Sequence, residues 1–260
     1  MRRSLASRLA GVPHRGRSGL LRCDRGGVGD VPDERAGLAL LVVAGRRPAP
    51  LQETVKLIEG QGGQACAVTA DVSSATDVAG LVESTVARYG RLDAAFNNAG
   101  ILGRPGPLVE LDEATWSAVL AANLTGVWLS MKYEIAHMRT HGGGVIVNMA
   151  SNVGAHLTVP GLAAYAAAKA AVSTLTRTAA LEYIRHGIRI NAVSPGPVAA
   201  PISRLPGGTD AERDARIGPQ LPIGRVGGAE EIAAAVLWLA SPASSFVVGH
   251  DLVIDGGASA

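Results

Sequence analysis

The chain has 260 residues, 47% of them hydrophobic and 18% charged, which suits one large α/β domain and excludes a globally disordered chain. Two cysteines, Cys23 and Cys66, exclude a disulfide framework, and neither they nor the six scattered histidines show metal-ligand spacing. The apolar runs are too short to span a bilayer, so a protein of a reducing, cytoplasmic compartment with no membrane contact and no metal is expected.

The formal net charge of +2 is unevenly spread: residues 1–47 hold ten Arg, no Lys and four acidic residues, and the remainder is acidic overall. A basic arm of this kind suits nucleic acid or a targeting peptide, but no folded basic motif accompanies it, so no nucleic-acid partner is expected. Residues 12–35 are rich in Arg, Gly, Pro and Asp and lack an amphipathic period.

From residue 48 onward, strand-like and helix-like segments alternate. The first is an amphipathic helix over 51–59. A short apolar strand over 64–70 ends at Asp71, and a helix over 75–89 stops at Gly90. Residues 92–96 read as a strand, followed by Asn97-Asn98-Ala99-Gly100. Asp112 is placed to cap a helix over 113–138. The three glycines 142–144 end it, and 145–149 is a buried strand. A long helix covers 161–186, and a strand over 188–193 breaks at Pro195-Gly196-Pro197. A Pro/Gly-rich loop then runs to Arg225, with Pro206, Gly207 and Gly208 predicting mobility. A helix over 230–239 and a strand over 251–254 close the pattern before Asp255-Gly256-Gly257.

This alternation predicts a single α/β domain: a doubly wound parallel sheet with helices on both faces. Ligands of such sheets sit at the carboxyl ends of the strands. Asp71, residues 97–100, Ser151 and residues 194–196 each follow a strand, so all should lie on one rim.

Within the long helix, Tyr165 and Lys169 are four residues apart in the Ala-rich stretch 163–171, which places them on one face. A fixed ammonium favours phenolate and lowers a Tyr pKa. A phenol tuned in this way can exchange a proton with an alcohol or carbonyl oxygen near neutral pH. Such pairs are also common on plain helix surfaces.

Taken in order, Asn97-Asn98-Ala99-Gly100, Asn123, Ser151, Tyr165-Ala166-Ala167-Ala168-Lys169, Pro195-Gly196 and Asp255-Gly256-Gly257 resemble the short-chain dehydrogenase/reductase family in its single-domain, Rossmann-like form. The resemblance covers residues 42–260. It implies an NAD(P)-dependent oxidoreductase that interconverts an alcohol and a ketone or related carbonyl, with a small-molecule substrate. It assigns Tyr165 as general acid/base and has Lys169 lower the Tyr165 pKa and hydrogen-bond the nicotinamide ribose. Ser151 would hold the substrate oxygen, and Asn123 would hold a water in a proton relay. The resemblance brings Asp71 and Val72 to the adenine and lines the cofactor cleft with Asn98, Ala99 and Gly100. Pro195, Gly196 and Val198 come against the nicotinamide carboxamide. It also implies a homo-oligomer, tetramer or dimer, with 199–220 covering the substrate. Residues 42–46 resemble the family's second strand, and at its end no acidic residue stands ready for a ribose 2′-hydroxyl. Arg46 instead offers a guanidinium to a 2′-phosphate, so NADP(H) is expected over NAD(H).

Three features depart from the family pattern. Asn152 occupies the commoner position for the family's Ser, thirteen residues before Tyr165, but Ser151 directly follows the strand end. Ala200 replaces a frequent Thr. The front end lacks the family's Thr-Gly-x-x-x-Gly-x-Gly turn, which lets the backbone approach the pyrophosphate. The arginine excess without lysine suggests that residues 12–41 are translated out of frame, with compensating shifts near 11 and 41. This stretch is then expected to be disordered or poorly packed. If so, the alternative function is a catalytically impaired scaffold or binding subunit.

Overall fold

A computed structural model describes residues 40–205 and 207–260. The reading of 12–39 as aberrant, and the place of Pro206 in its loop, lie outside the described residues; Leu40 and Leu41, assigned above to the aberrant stretch, lie in the first strand.

The order is β1 (Leu40–Gly45), α1 (Pro48–Glu59), β2 (Gln64–Thr69), α2 (Ala75–Tyr89), β3 (Ala94–Asn97), α3 (Glu113–Leu120), α4 (Gly126–Met138), β4 (Gly144–Met149), α5 (Ala163–Tyr183), β5 (Ile188–Pro195), α6 (Asp210–Ile217), α7 (Ala229–Ala240) and β6 (Asp251–Ile254). Every strand pairing is parallel: β1 with β2, and β3, β4, β5 and β6 in that order. No described strand joins β1 to β3.

Local sequence accounts for most boundaries. Pro48 begins α1, where a missing N–H costs nothing. That helix buries Leu51, Thr54, Val55 and Ile58, a single stripe at helical spacing. Ser74 caps α2 by accepting from Asp77 N, and Gly90 ends it at φ 78°. Asp112 caps α3 through Thr115 N at 2.7 Å. The loop predicted over 196–225 contains α6, whose Thr209 and Glu212 form a capping box.

Alternate residues of the central strands feed opposite faces, as the two-residue period requires. Ile146, Ile188, Ile190 and Ala192 pack under α4 and α5 with Val127, Met131, Ile135 and Val172. Val147 and Val193 turn the other way, onto Ile232, Val236 and Leu239 of α7. Each fully buried Ile or Leu contributes about 1.5–3 kcal/mol. Helices therefore cover both faces of the four-stranded sheet, and its strand ends form the rim that carries the site.

Candidate active site

Ser151 lies two residues past the end of β4 and is buried. Its Oγ accepts from Val153 N at 3.1 Å and also lies in hydrogen-bonding reach of the Tyr165 phenol. Asn152 turns elsewhere, donating from Nδ2 to Asp255 Oδ2 at 3.2 Å. One helical turn past Tyr165, Lys169 is 3% exposed, with Nζ 5.8 Å from the Tyr165 ring centre and 2.6 Å from the Met149 carbonyl it donates to. Helical spacing thus puts phenol and ammonium on one face, and the end of β4 brings Ser151 to them.

The electrostatics differ from the expectation that Lys169 depresses the Tyr165 pKa. Burial pushes the phenol above its ordinary value, and the Ser151 hydrogen bond pulls against that. Burial also pushes Lys169 down to about 8. Desolvation outweighs charge pairing here because the ammonium is held on Met149 O rather than on the phenolic oxygen.

Asn123 sits in a π-helical turn, Ala121–Thr125, that interrupts the single helix predicted over 113–138. It is fully buried. Its Oδ1 accepts from Ile101 N at 2.9 Å and its Nδ2 donates to Ile101 O at 2.7 Å. The side chain therefore fixes the chain just after Gly100. At Gly100 a Cβ would fall 2.5 Å from Asn123 Oδ1 and 3.7 Å from Lys169 Nζ; only glycine allows this approach.

The remaining predicted residues also lie at or just past strand ends. Arg46, 67% exposed in its side chain, follows β1 with its guanidinium 3.9 Å from Asp71 after β2. Asp71 accepts from the amide and hydroxyl of Ser73, which holds its carboxyl below the ordinary range. Val72 packs against Gly126, where an added Cβ would meet Val72 Cγ2 at 2.7 Å. Asn98, Ala99 and Gly100 are exposed at the end of β3. Pro195 ends β5, Gly196 donates to Ile254 O at 3.0 Å, and Val198 bridges to Gly227.

A family profile described as enoyl-(acyl carrier protein) reductase matches residues 34–259. The cis-4-hydroxycyclohexanecarboxylate dehydrogenase of Sinomonas cyclohexanicum is 41% identical over 84% of this chain and 86% of its own. The cyclohexanol dehydrogenase of Acinetobacter sp. (strain SE19) is also 41% identical, over 79% of each chain. Among solved structures, levodione reductase superposes with a TM-score of 0.79 at 35% identity, covering 84% of this chain and 87% of the other. The chain belongs to the short-chain dehydrogenase/reductase family.

As a member of that family it is an NAD(P)-dependent oxidoreductase in general terms, and its substrate is a small molecule. The described residues fit a nicotinamide dinucleotide. Gly100, exposed at the end of β3, carries no side chain to stand between the cleft and Asn123, and the Lys169 ammonium has three donors, of which Met149 O takes one.

Sequence reasoning missed two features of this short-chain dehydrogenase/reductase. Behind the rim, Asn97 Nδ2 donates to Glu134 Oε2 and to Asn148 Oδ1, each at 3.0 Å. Asn148 Nδ2 in turn donates to Thr176 Oγ1 at 2.9 Å. Burial raises the Glu134 carboxyl to about 7, with Asn97 opposing. The only sequence signal was an acidic residue inside an apolar helix. The second missed residue, Arg104, shares a cleft with Tyr165. Among the described residues no cluster of metal ligands occurs, and no helix is long and apolar enough to cross a membrane.

Proposed function

We infer that this enzyme interconverts an alicyclic secondary alcohol and its ketone. The observation that carries the reading is the meeting of Ser151, Tyr165 and Lys169 at the end of β4, on the rim that also presents Gly100. Two relatives named for ring alcohols support the ring preference.

In alcohol oxidation, Ser151 holds the substrate oxygen, and Tyr165, as phenolate, takes the hydroxyl proton. A bound nicotinamide would supply the hydride chemistry at the carbinol carbon. In ketone reduction, Tyr165 returns the proton to the oxygen. Lys169 holds the ribose and supplies positive charge beside the phenol, and a positive nicotinamide ring would add to it. Because Asn123 spends its amide on Ile101, its part in the proposed relay is to fix the backbone that a water would use. Asp71 and Val72 hold the adenine. Asn98, Ala99 and Gly100 line the cleft, and Pro195, Gly196 and Val198 meet the carboxamide. Arg46 takes a 2′-phosphate, which favours NADP(H) over NAD(H). The protein works in the cytoplasm as a homo-oligomer.

The test is titration of the full chain with NADPH and then NADH, following nicotinamide fluorescence, and then turnover of cyclohexanol with a Tyr165→Phe control. Tighter NADPH binding and Tyr165-dependent oxidation support the reading. Binding without turnover would leave the catalytically impaired scaffold standing.

A further inference from the structure

Asp251, at the start of β6, carries a carboxyl group that the reaction above leaves unused, and its side chain is 5% exposed. Among the described residues it accepts from three side chains on three different segments. Ser173 of α5 donates its hydroxyl to Oδ2 at 2.5 Å, and Ser194 of β5 donates to Oδ1 at 2.5 Å. The third donor is the His156 imidazole, whose Nε2 lies 2.9 Å from Oδ2. Both serines are fully buried, where an unmet hydroxyl is costly. They therefore fix the carboxyl from two sides, and it offers Oδ2 to His156 as a stationary mooring.

Each partner belongs to a segment that carries the site. Tyr165, Lys169 and Ser173 recur every fourth residue along one face of α5. His156 closes the turn that begins at Ser151. Within that turn Val153 N donates to Ser151 Oγ at 3.1 Å, and Leu157 N donates to Asn152 O at 2.7 Å. The turn is pressed onto α5. At Gly154, with φ 127°, an added Cβ would fall 2.6 Å from Ala166 O and 2.8 Å from Ala170 N, beside Tyr165 and Lys169. Two side chains then fasten it to the β6 segment, Asn152 to Asp255 at 3.2 Å and His156 to Asp251. A turn bonded internally in this way moves as a unit, so slack at His156 is slack at Ser151.

We propose that His156 is a positioning residue: through Asp251 it locks the turn that bears Ser151 to α5, and so sets the Ser151 hydroxyl against the Tyr165 phenol. The pair makes and breaks no bond of the substrate and acts through Ser151. This rests on the alcohol–ketone reading above and deepens it at the same site.

The experiment is made at His156, whose side chain is 26% exposed, so that the two buried serines keep their acceptor. His156→Ala removes the tie, and His156→Gln keeps an N–H donor. With cyclohexanol and the oxidised NADP cofactor, His156→Ala should lower kcat about 10–100-fold, as a small misplacement of reacting groups does. The Kd for NADPH should stay within about twofold of wild type, because the lost contact serves the reacting pair rather than cofactor binding. His156→Gln should recover most of kcat. A general loosening of the fold would instead weaken NADPH binding and lower Tm in step with kcat.

A second readout needs no turnover: carbon NMR of ring-labelled tyrosine, with the Tyr165 signal assigned by its absence from Tyr165→Phe. The Ser151 hydrogen bond pulls the Tyr165 pKa down. A slackened turn should therefore move the Tyr165 midpoint upward in His156→Ala, and His156→Gln should bring it back. An unmoved midpoint, an unchanged kcat in His156→Ala, or equal losses in both variants overturns the positioning role. A midpoint that moves and returns as expected in a protein that oxidises no cyclohexanol supports the positioning role and overturns the ring-alcohol reading.

Discussion

Tyr165 alone combines a transferable proton with contact to Ser151, so replacing it should remove chemistry without removing fold. Tyr165→Phe is expected to lower kcat/KM about 10²–10⁴-fold while leaving the thermal midpoint within a degree or two of wild type, read by nicotinamide absorbance and calorimetry. Lys169 makes the opposite trade. Its pKa falls from 10.5 to about 8 because its cation is buried, so between those values the folded protein holds fewer protons than the unfolded chain. Stability therefore rises as pH climbs through that window, by about 3 kcal/mol at most for such a gap. Lys169→Met should flatten this slope in urea unfolding at pH 7 and pH 10, and should abolish turnover. An unchanged slope in the variant would assign it to other groups. The pairing of Tyr165 and Lys169 was legible because helical spacing is local. The direction of the Tyr165 pKa was not, because burial is set by residues far away in sequence.

At the scale of elements, caps and glycines were legible wherever a single residue decides the backbone. Asp112 and Gly90 act where the sequence placed them. Two elements escaped. The turn Ala121–Thr125 is invisible to apolar periodicity, because its cause is Asn123 reaching across to Ile101. Helix α6 was hidden by its polar composition and by the Pro and Gly before it, although Thr209 and Glu212 spell a capping box. Thr209→Ala should destabilise α6 by about 1 kcal/mol, seen as faster amide exchange over 210–217 with the exchange of β4 and β5 unchanged. Gly143, at φ 89°, lies where an added Cβ would meet the Gly187 carbonyl at 2.3 Å. Gly143→Ala should therefore cost about 2–4 kcal/mol from combined backbone strain and overpacking, read as a lower urea midpoint with an unchanged slope.

For the whole molecule, the parallel layers and their functional rim follow from strand–helix alternation, and the family relationship extends that frame across most of the chain. Global pH dependence adds what no element reveals. Glu134 rises from 4.5 to about 7, so the folded protein holds more protons than the unfolded chain between those values. The stability it contributes is present below pH 4.5 and is lost as pH rises through 7. Glu134→Gln keeps an acceptor for Asn97 and removes the buried charge. It should raise the unfolding free energy by about 1–3 kcal/mol at pH 8 and change it little at pH 4.5. Equal effects at both pH values would count against the titration of Glu134.

The sequence by itself determined the α/β class, the Asp112 cap and the Gly90 stop, the shared face of Tyr165 and Lys169, and the strand ends that carry Asp71, Gly100, Ser151 and Gly196. Each of these follows from backbone geometry within a few residues. Only the tertiary structure decided that Asn123 grips Ile101, that Asn97 joins Glu134 to Asn148, that burial outweighs charge at Tyr165, and that Arg104 faces the cleft of Tyr165. Those outcomes depend on which distant segments meet, and on how much water their meeting excludes.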